Sequence, residues 1–394
     1  MGLLVGAVIA EIALRVAGYS CPNFYQLDQS RGYALRPGTQ GWFRNEGEAY
    51  VSINSDGLHD REHSLIKPPG TYRIAVVGDS YAESLRVPLE EAFWSVMEGK
   101  LQEANAFPGK KVEVINFGVS GYGTGQELLT LREHVWKYSP DLVLLAFTTS
   151  NDVMDNSYAL RQTETPYFVY RDGKLALDNS FRNSSKFKLK TAKIKLLGDW
   201  LYGRSRVVQA ISEGLRAIRL ISASWKSRAA AGQLQKESGD AQKSDLLSRS
   251  QELGIDNVVY LEPRDAVWND AWRVTEGLIV TMRDEVKLGG AKFLVVTLSN
   301  GPQVLPDPKL REGFMKNFAV SDLFYPDNRI KSLCVREGIP VITLAPELQE
   351  FADRNNAFLH GFGKDIGNGH WNATGNRVAG ELIAQKIREG VLLK

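Results

Sequence analysis

From Tyr72 onward, short aliphatic runs alternate with longer stretches in which apolar residues return every three or four positions. Five runs stand out: Arg73 to Val77 (RIAVV), Val112 to Phe117 (VEVINF), Leu142 to Phe147 (LVLLAF), Phe293 to Leu298 (FLVVTL) and Val341 to Leu344 (VITL). None alternates cleanly between apolar and polar. Strands that are apolar on both faces are covered on both, which predicts a parallel sheet between two layers of helices. The helical periods fall at Leu89 to Ala104, Gln126 to Tyr138, Ala266 to Leu288, Tyr325 to Glu337 and Thr374 to Glu389, with Gly338 and Pro340 closing the fourth. About 145 residues separate the third run from the fourth, far more than one crossover helix needs, so an insertion is predicted after Asp152.

Within the insertion, Tyr167 to Leu177 (YFVYRDGKLAL) reads as a hairpin turning at Asp172-Gly173. Arg182 to Arg228 carries six Arg and six Lys against Asp199 and Glu213, a local excess of +10. It reads as a solvated helical face with an apolar stripe through Leu196, Leu197, Leu201, Val207, Val208 and Ile211, or as a lid meeting an anionic surface such as phospholipid headgroups or an acidic glycan. Ala229 to Ser250 is polar and rich in small residues, the composition of a connector. At the other end of the chain, Leu3 to Gly18 is an apolar run broken only by Glu11 and Arg15. Its sixteen residues reach about 24 Å as a helix, less than the ~30 Å hydrocarbon core. A short membrane anchor, a signal-type segment and a helix packed on the protein all fit it.

Composition narrows the classes. The 394 residues are 43% hydrophobic and 24% charged, values of a folded globular chain with room for more than one core. The 48 basic and 46 acidic side chains leave a net +2, too balanced for a polyanion binder, so no nucleic-acid partner is expected. Cys21 and Cys334 are far apart and lack CxxC spacing, so neither a disulfide framework nor a thiolate zinc site is indicated.

Candidate chemistry gathers where the runs end. Gly78-Asp79-Ser80-Tyr81 follows the first strand, placing a hydroxyl at the carboxyl edge of the sheet with free backbone N–H groups at a helix start. The second run leads into Gly118-Val119-Ser120-Gly121 and the third into Thr149-Ser150-Asn151-Asp152, so a Gly118 N–H and the Asn151 amide can face the same crevice and bind a developing oxyanion. A serine nucleophile needs a base. Of five histidines, His134 lies inside a predicted helix and His59 and His63 in the polar N-terminal segment; His360 competes with His370, which sits in a loop just before the last helix (GHWNATG).

This combination resembles the SGNH/GDSL hydrolase superfamily over roughly Tyr72 to Ile387 outside the insertion, through Ser80 in GDS, Gly118, Asn151 with Asp152, and His370, in that order. Ile53-Asn54-Ser55-Asp56-Gly57-Leu58 also looks like the extension of membrane-associated bacterial members. The resemblance implies a three-layer αβα, flavodoxin-like fold with a five-stranded parallel sheet, here with an N-terminal helical segment and a large insertion after the third strand. It implies four parts: residues 1–20 as an apolar helix and transmembrane or membrane anchor, 21–70 as an extension, 71–154 with 262–394 as the core, and 155–261 as a basic insertion or lid. It implies a serine acyl hydrolase or acyltransferase on O-acylated glycan or lipid esters, needing no cofactor, membrane-associated with the catalytic domain extracytoplasmic. Ser80 and His370 would be catalytic, the oxyanion hole would be Ser80, Gly118 and Asn151, and Asp79, Tyr81 and Trp371 would border the substrate.

Two positions depart from the family pattern. Thr149 replaces the Gly of GxND, and Gly367 stands three residues before His370, where the family carries its orienting acid. Asp365 is the nearest replacement, with Asn368 or a backbone carbonyl as the alternative. A lysophospholipase or thioesterase, and an inactive SGNH-fold binding or assembly protein, are the competing functional expectations.

Overall fold

The computed structural model describes residues 2–215, 218 and 255–393. They form two contact units: Phe24–Lys188 with Val259–Lys394, and Met1–Asn23 with Leu189–Val258. The expected connector at 229–250 lies outside the described residues, as does the expected basic stretch from 219 to 228. Residues 24–70 and 155–188 thus belong to the same contact unit as residues 71–154 and 262–394.

In the larger unit, two short antiparallel hairpins come first, β1 (Tyr25–Asp28) with β2 (Gly32–Leu35) and β3 (Gln40–Phe43) with β4 (Ala49–Ser52). The central sheet is built from β5 (Thr71–Gly78), β6 (Lys111–Asn116) and β7 (Leu142–Thr148), then, beyond the hairpin β8 (Tyr167–Arg171) and β9 (Lys174–Asp178), β10 (Lys292–Leu298) and β11 (Val341–Thr343). All four pairings in this sheet are parallel, and its order is β11-β10-β7-β5-β6. That is the flavodoxin-like arrangement expected, with the order reversing beside β5 and a crevice at the carboxyl ends of the strands. The five predicted runs are the five strands, to within two residues at each end.

The missing alternation has its cause in the layers. Ile74, Val76, Val114, Leu144, Val296 and Ile342 pack with Phe93, Met97, Leu101, Val378 and Ile383 from the helices Phe93–Glu103 and Ala373–Arg388. Their neighbours Ala75, Val77, Ile115, Leu145 and Val295 point the opposite way and are buried too. The predicted hairpin turns at Asp172-Gly173, both at positive φ as a type I′ turn requires. The period read from Gln126 to Tyr138 resolves into a helix Thr124–Glu133 and a separate 3₁₀ turn Val135–Tyr138, broken at His134. The helices Pro308–Phe318 and Ala345–Asn355 were not anticipated; each opens on a proline in its first turn, a residue that reads as a breaker yet suits a helix start.

The N-terminal segment is bolted to the sheet through buried polar groups. Arg73 on β5 is wholly buried, its Nε donating to Glu113 at 2.7 Å and its terminal nitrogens to the carbonyls of Tyr138 and Ser64. The motif Asn54 to His63 does the same near the crevice: Asp60 accepts from the Asn116 N–H at 2.8 Å, and His59 Nδ1 donates to the Glu83 carbonyl at 2.6 Å. No described helix is long and apolar enough to cross a membrane. The transmembrane helix expected from Leu3 to Gly18 is instead a 15-residue helix, Gly2–Val16.

Candidate active site

Ser80 opens the four-residue helix Ser80–Glu83 directly after β5. Asp79 caps that helix, its Oδ1 accepting from the Tyr81 N–H at 2.9 Å and from the Thr148 hydroxyl at 2.9 Å. The turn is tight because Gly78 has no side chain: a Cβ there would lie 2.9 Å from Ala82 Cβ and 3.0 Å from the Ala146 carbonyl. The result points the Ser80 hydroxyl out of the carboxyl end of the sheet.

His370 arrives from the loop before the helix Ala373–Arg388, and its Nε2 lies 2.7 Å from Ser80 Oγ. The loop is pinned on both sides of the imidazole. The Gly369 carbonyl accepts from the Tyr81 hydroxyl at 3.1 Å and from His360 Nδ1 at 2.7 Å, while the His370 carbonyl accepts from the Gly361 N–H at 2.9 Å. His360 is 1% exposed, and burial pushes its pKa down to about 4. With Nδ1 donating to Gly369, its Nε2 accepts from the Ser299 hydroxyl at 3.0 Å, so the competing histidine is a neutral brace.

The acid expected at Asp365 is not at the imidazole. Asp365 ends an exposed 3₁₀ turn, Gly363–Asp365, with its carbonyl turned toward Gly361 and Asn368. Asn368 is exposed as well. The group facing His370 Nδ1 is Glu46 Oε2, at 2.6 Å, from the turn between β3 and β4. Arg86 Nε donates to the same oxygen at 2.8 Å. Nothing in the linear sequence marks Glu46, which lies 324 positions from His370; the available signal was negative, the missing acid at Gly367.

The expected oxyanion donors divide. Asn151 Nδ2 donates to Asp79 Oδ2 at 3.0 Å, which orients the amide and leaves its second N–H for a ligand. The Gly118 N–H, expected to face the oxyanion, instead donates to Asn116 Oδ1 at 2.9 Å. Gly118 is needed for room: a Cβ would sit 2.5 Å from Ala82 Cβ and 2.6 Å from the Glu83 nitrogen, so this glycine lets the helix that Ser80 opens lie on the loop. Beneath Asn151, the buried carboxyls of Asp152 and Glu127 are both pushed well up by burial and by their acidic neighbours.

Of the three residues expected to border a substrate, Asp79 lies wholly in the interior, while Tyr81 and Trp371, themselves mostly buried, line the small space beside Ser80 and His370. Asp79 is fully buried with its carboxylate occupied, Trp371 donates its indole N–H to Ser299 at 2.9 Å, and Tyr81 packs edge-on to Trp371. Beside Ser80 and His370 lies a partly open space of about 10 Å³, bounded also by Tyr81, Ser84, Arg86, Val87, Trp371 and Asn376. Among the described residues, no group of three or more His, Cys, Asp or Glu side chains is placed to hold a metal ion.

No family model and no curated protein sequence matches the chain. Among solved structures, the chain is similar to an acetyl xylan esterase, AlAXEase, at 13% identity and TM-score 0.39, covering 79% of this chain and 98% of that one. It is similar to Axe2, an acetylxylan esterase from Geobacillus stearothermophilus, at 12% identity and TM-score 0.37, covering 81% and 95%. A third likeness is LAE5, an alpha/beta hydrolase enzyme from the metagenome of Lake Arreo, at 10% identity and TM-score 0.38, covering 80% and 96%.

Proposed function

We propose that the protein cleaves oxygen esters of short acyl groups carried on a carbohydrate or similar hydroxyl compound, passing the acyl group through Ser80 to water or to an acceptor hydroxyl. The observation that carries this reading is the 2.7 Å approach of His370 Nε2 to Ser80 Oγ at the mouth of the crevice. His370 takes the hydroxyl proton as Ser80 Oγ attacks the carbonyl carbon. The oxyanion is met by the Ser80 N–H and the free N–H of Asn151, and His370 returns the proton to the departing alcohol. Water or a second hydroxyl then repeats the sequence on the acyl-enzyme. On p-nitrophenyl esters the C2 substrate is expected to exceed the C16 substrate by at least tenfold in kcat/KM, one extra methylene being worth ~1–3 kcal/mol in a fitted pocket. Mass spectrometry of products from acetylated oligosaccharides and from lysolipids identifies the natural class, and a preference for C16 and lysolipid would replace this reading with the lipid one.

A second feature supports attachment to a membrane surface. In the smaller unit, Leu4, Val5, Val8, Ile9, Ile12 and Val16 of the helix Gly2–Val16 are all exposed. The two charges that break this run are paired along residues 204–207. Glu11 accepts from the backbone N–H groups of Arg206 and Val207, each at 3.0 Å, and Arg15 bonds Glu11 and the Arg204 carbonyl. The Arg206 N–H leads the groups that hold the Glu11 carboxyl down at about 2, so it stays ionised as a cap for residues 206–215. An apolar helix with basic residues at its base suits the interface of an anionic bilayer. Sedimentation with phosphatidylglycerol vesicles is expected, and Val5→Glu with Ile9→Glu should abolish it; unchanged sedimentation of that variant would refute the assignment.

A further inference from the structure

We infer that Glu46 is the positioning residue that orients and charges His370, that it is delivered by the N-terminal β3–β4 hairpin, and that Arg86 locks it in place. The inference rests on the Ser80–His370 reading above. It makes the N-terminal hairpin part of the active site and answers where the acid missing at Gly367 went.

Four independent features converge on the Glu46 carboxylate. With Nδ1–H donated to Glu46 at 2.6 Å, the neutral imidazole keeps its Nε2 lone pair on Ser80, the tautomer a general base needs. The Glu46 backbone has φ +69°, a left-handed conformation that costs a non-glycine residue ~1 kcal/mol or more and persists only where its surroundings enforce it. Those surroundings are two glycines. A Cβ on Gly47 would meet the Arg86 carbonyl at 2.4 Å and Phe362 Cε1 at 2.9 Å, so the hairpin tip lies directly on the core. A Cβ on Gly369, the residue before His370, would meet Glu46 Oε1 at 3.0 Å, so this glycine leaves the space the carboxylate fills.

Arg86 completes the arrangement. Its side chain is about nine-tenths buried, donates Nε–H to Glu46 Oε2 at 2.8 Å and lies over the Phe43 ring at the end of β3. Half-burial alone would raise the Glu46 pKa, but the His370 hydrogen bond and the charges of His370 and Arg86 bring it down to about 2. Because this pKa is depressed, the Glu46 carboxylate and its pairing with Arg86 are complete above about pH 4.5 and are lost only as the pH falls toward 2. The other titratable groups facing the imidazole stay neutral across the working range: burial holds the Tyr81 phenol well above 10 and His360 near 4.

The experiment uses the full chain and compares wild type with Glu46→Gln, Glu46→Asp, Arg86→Gln and Asp365→Asn, measuring hydrolysis of p-nitrophenyl acetate and the pH dependence of Ser80 labelling by a fluorophosphonate. Glu46→Gln is expected to lower kcat on the order of 10³- to 10⁴-fold with little change in KM. Its acid limb should move to lower pH by about one unit or more, since the imidazolium loses its counter-charge. Arg86→Gln should move the limb the other way, because a neighbouring cation is removed, and a purely structural role for either residue would not produce opposite shifts. Glu46→Asp should restore part of the rate and bring the limb back toward the wild-type position. Asp365→Asn should stay within about twofold of wild type, as expected for an exposed surface change. Wild-type turnover and an unmoved limb in Glu46→Gln, or the large loss in Asp365→Asn, would overturn the inference. A wild type that neither turns over nor labels would bring down the Ser80 reading itself, and this inference with it.

Discussion

Ser80→Ala is expected to abolish ester turnover, by a factor on the order of 10⁵ to 10⁶, while leaving the fold intact. The size follows from the way a nucleophile and its base act as one unit: losing either removes nearly all of the covalent route, and only the oxyanion donors remain to help water. The fold is spared because the change deletes one oxygen from a residue that opens a helix, where alanine is well tolerated. Backbone contacts of the turn do not involve Oγ: the Ser84 N–H still reaches the residue-80 carbonyl, and Asp79 still caps the Tyr81 N–H. His370 keeps its bond to Glu46, so the imidazole stays where it is. The decisive measurement pairs turnover with labelling by a fluorophosphonate. Wild type should acquire one adduct at Ser80 and the variant none. Well-folded wild type without an adduct would favour the reading of this chain as a non-catalytic binding protein on the same fold.

What was legible in the sequence was whatever local grammar encodes. The strands could be read because each must be apolar on both faces, as Ile74 and Val76 on one side and Ala75 and Val77 on the other show. Ser80 and His370 could be read because each sits at a strand end or loop whose neighbours, Gly78 and the Gly369-His370-Trp371 run, announce a turn. The site's polar wiring could not. Whether the Gly118 N–H is free depends on the rotamer of Asn116, whose side-chain amide donates in turn to the His59 carbonyl from the N-terminal motif. Glu46 lies in a four-residue-strand hairpin, too short to show a period, and its partner is fixed only when the hairpin meets the loop before His370. Of the residues expected to border a substrate, Asp79 is fully buried scaffolding under the turn, whereas Tyr81 and Trp371 pack on each other and also line the space beside Ser80 and His370, a difference that proximity in sequence to a crevice does not encode.

That scaffolding carries its own large effect at Asp79. The buried carboxylate accepts three hydrogen bonds, from the Tyr81 N–H, the Thr148 hydroxyl and the Asn151 amide. Alanine there would strand buried donors at ~1–3 kcal/mol apiece, so Asp79→Asn is the informative variant because it preserves shape. An asparagine oxygen can keep Tyr81 and Thr148, but its NH₂ then faces the NH₂ of Asn151. Two donors cannot pair, so Asn151 must turn its oxygen toward residue 79 and withdraw its N–H from the oxyanion. Asp79→Asn should therefore lose turnover on the order of 10²- to 10³-fold, as should Asn151→Ala, with KM for p-nitrophenyl acetate nearly unchanged. Because both substitutions remove the same donor, the double variant should be no slower than the worse single one, a non-additivity that marks a shared pathway. If the two losses multiply instead, Asp79 acts on the reaction by a route that does not pass through Asn151, and the wiring drawn from these three hydrogen bonds is not the one that matters.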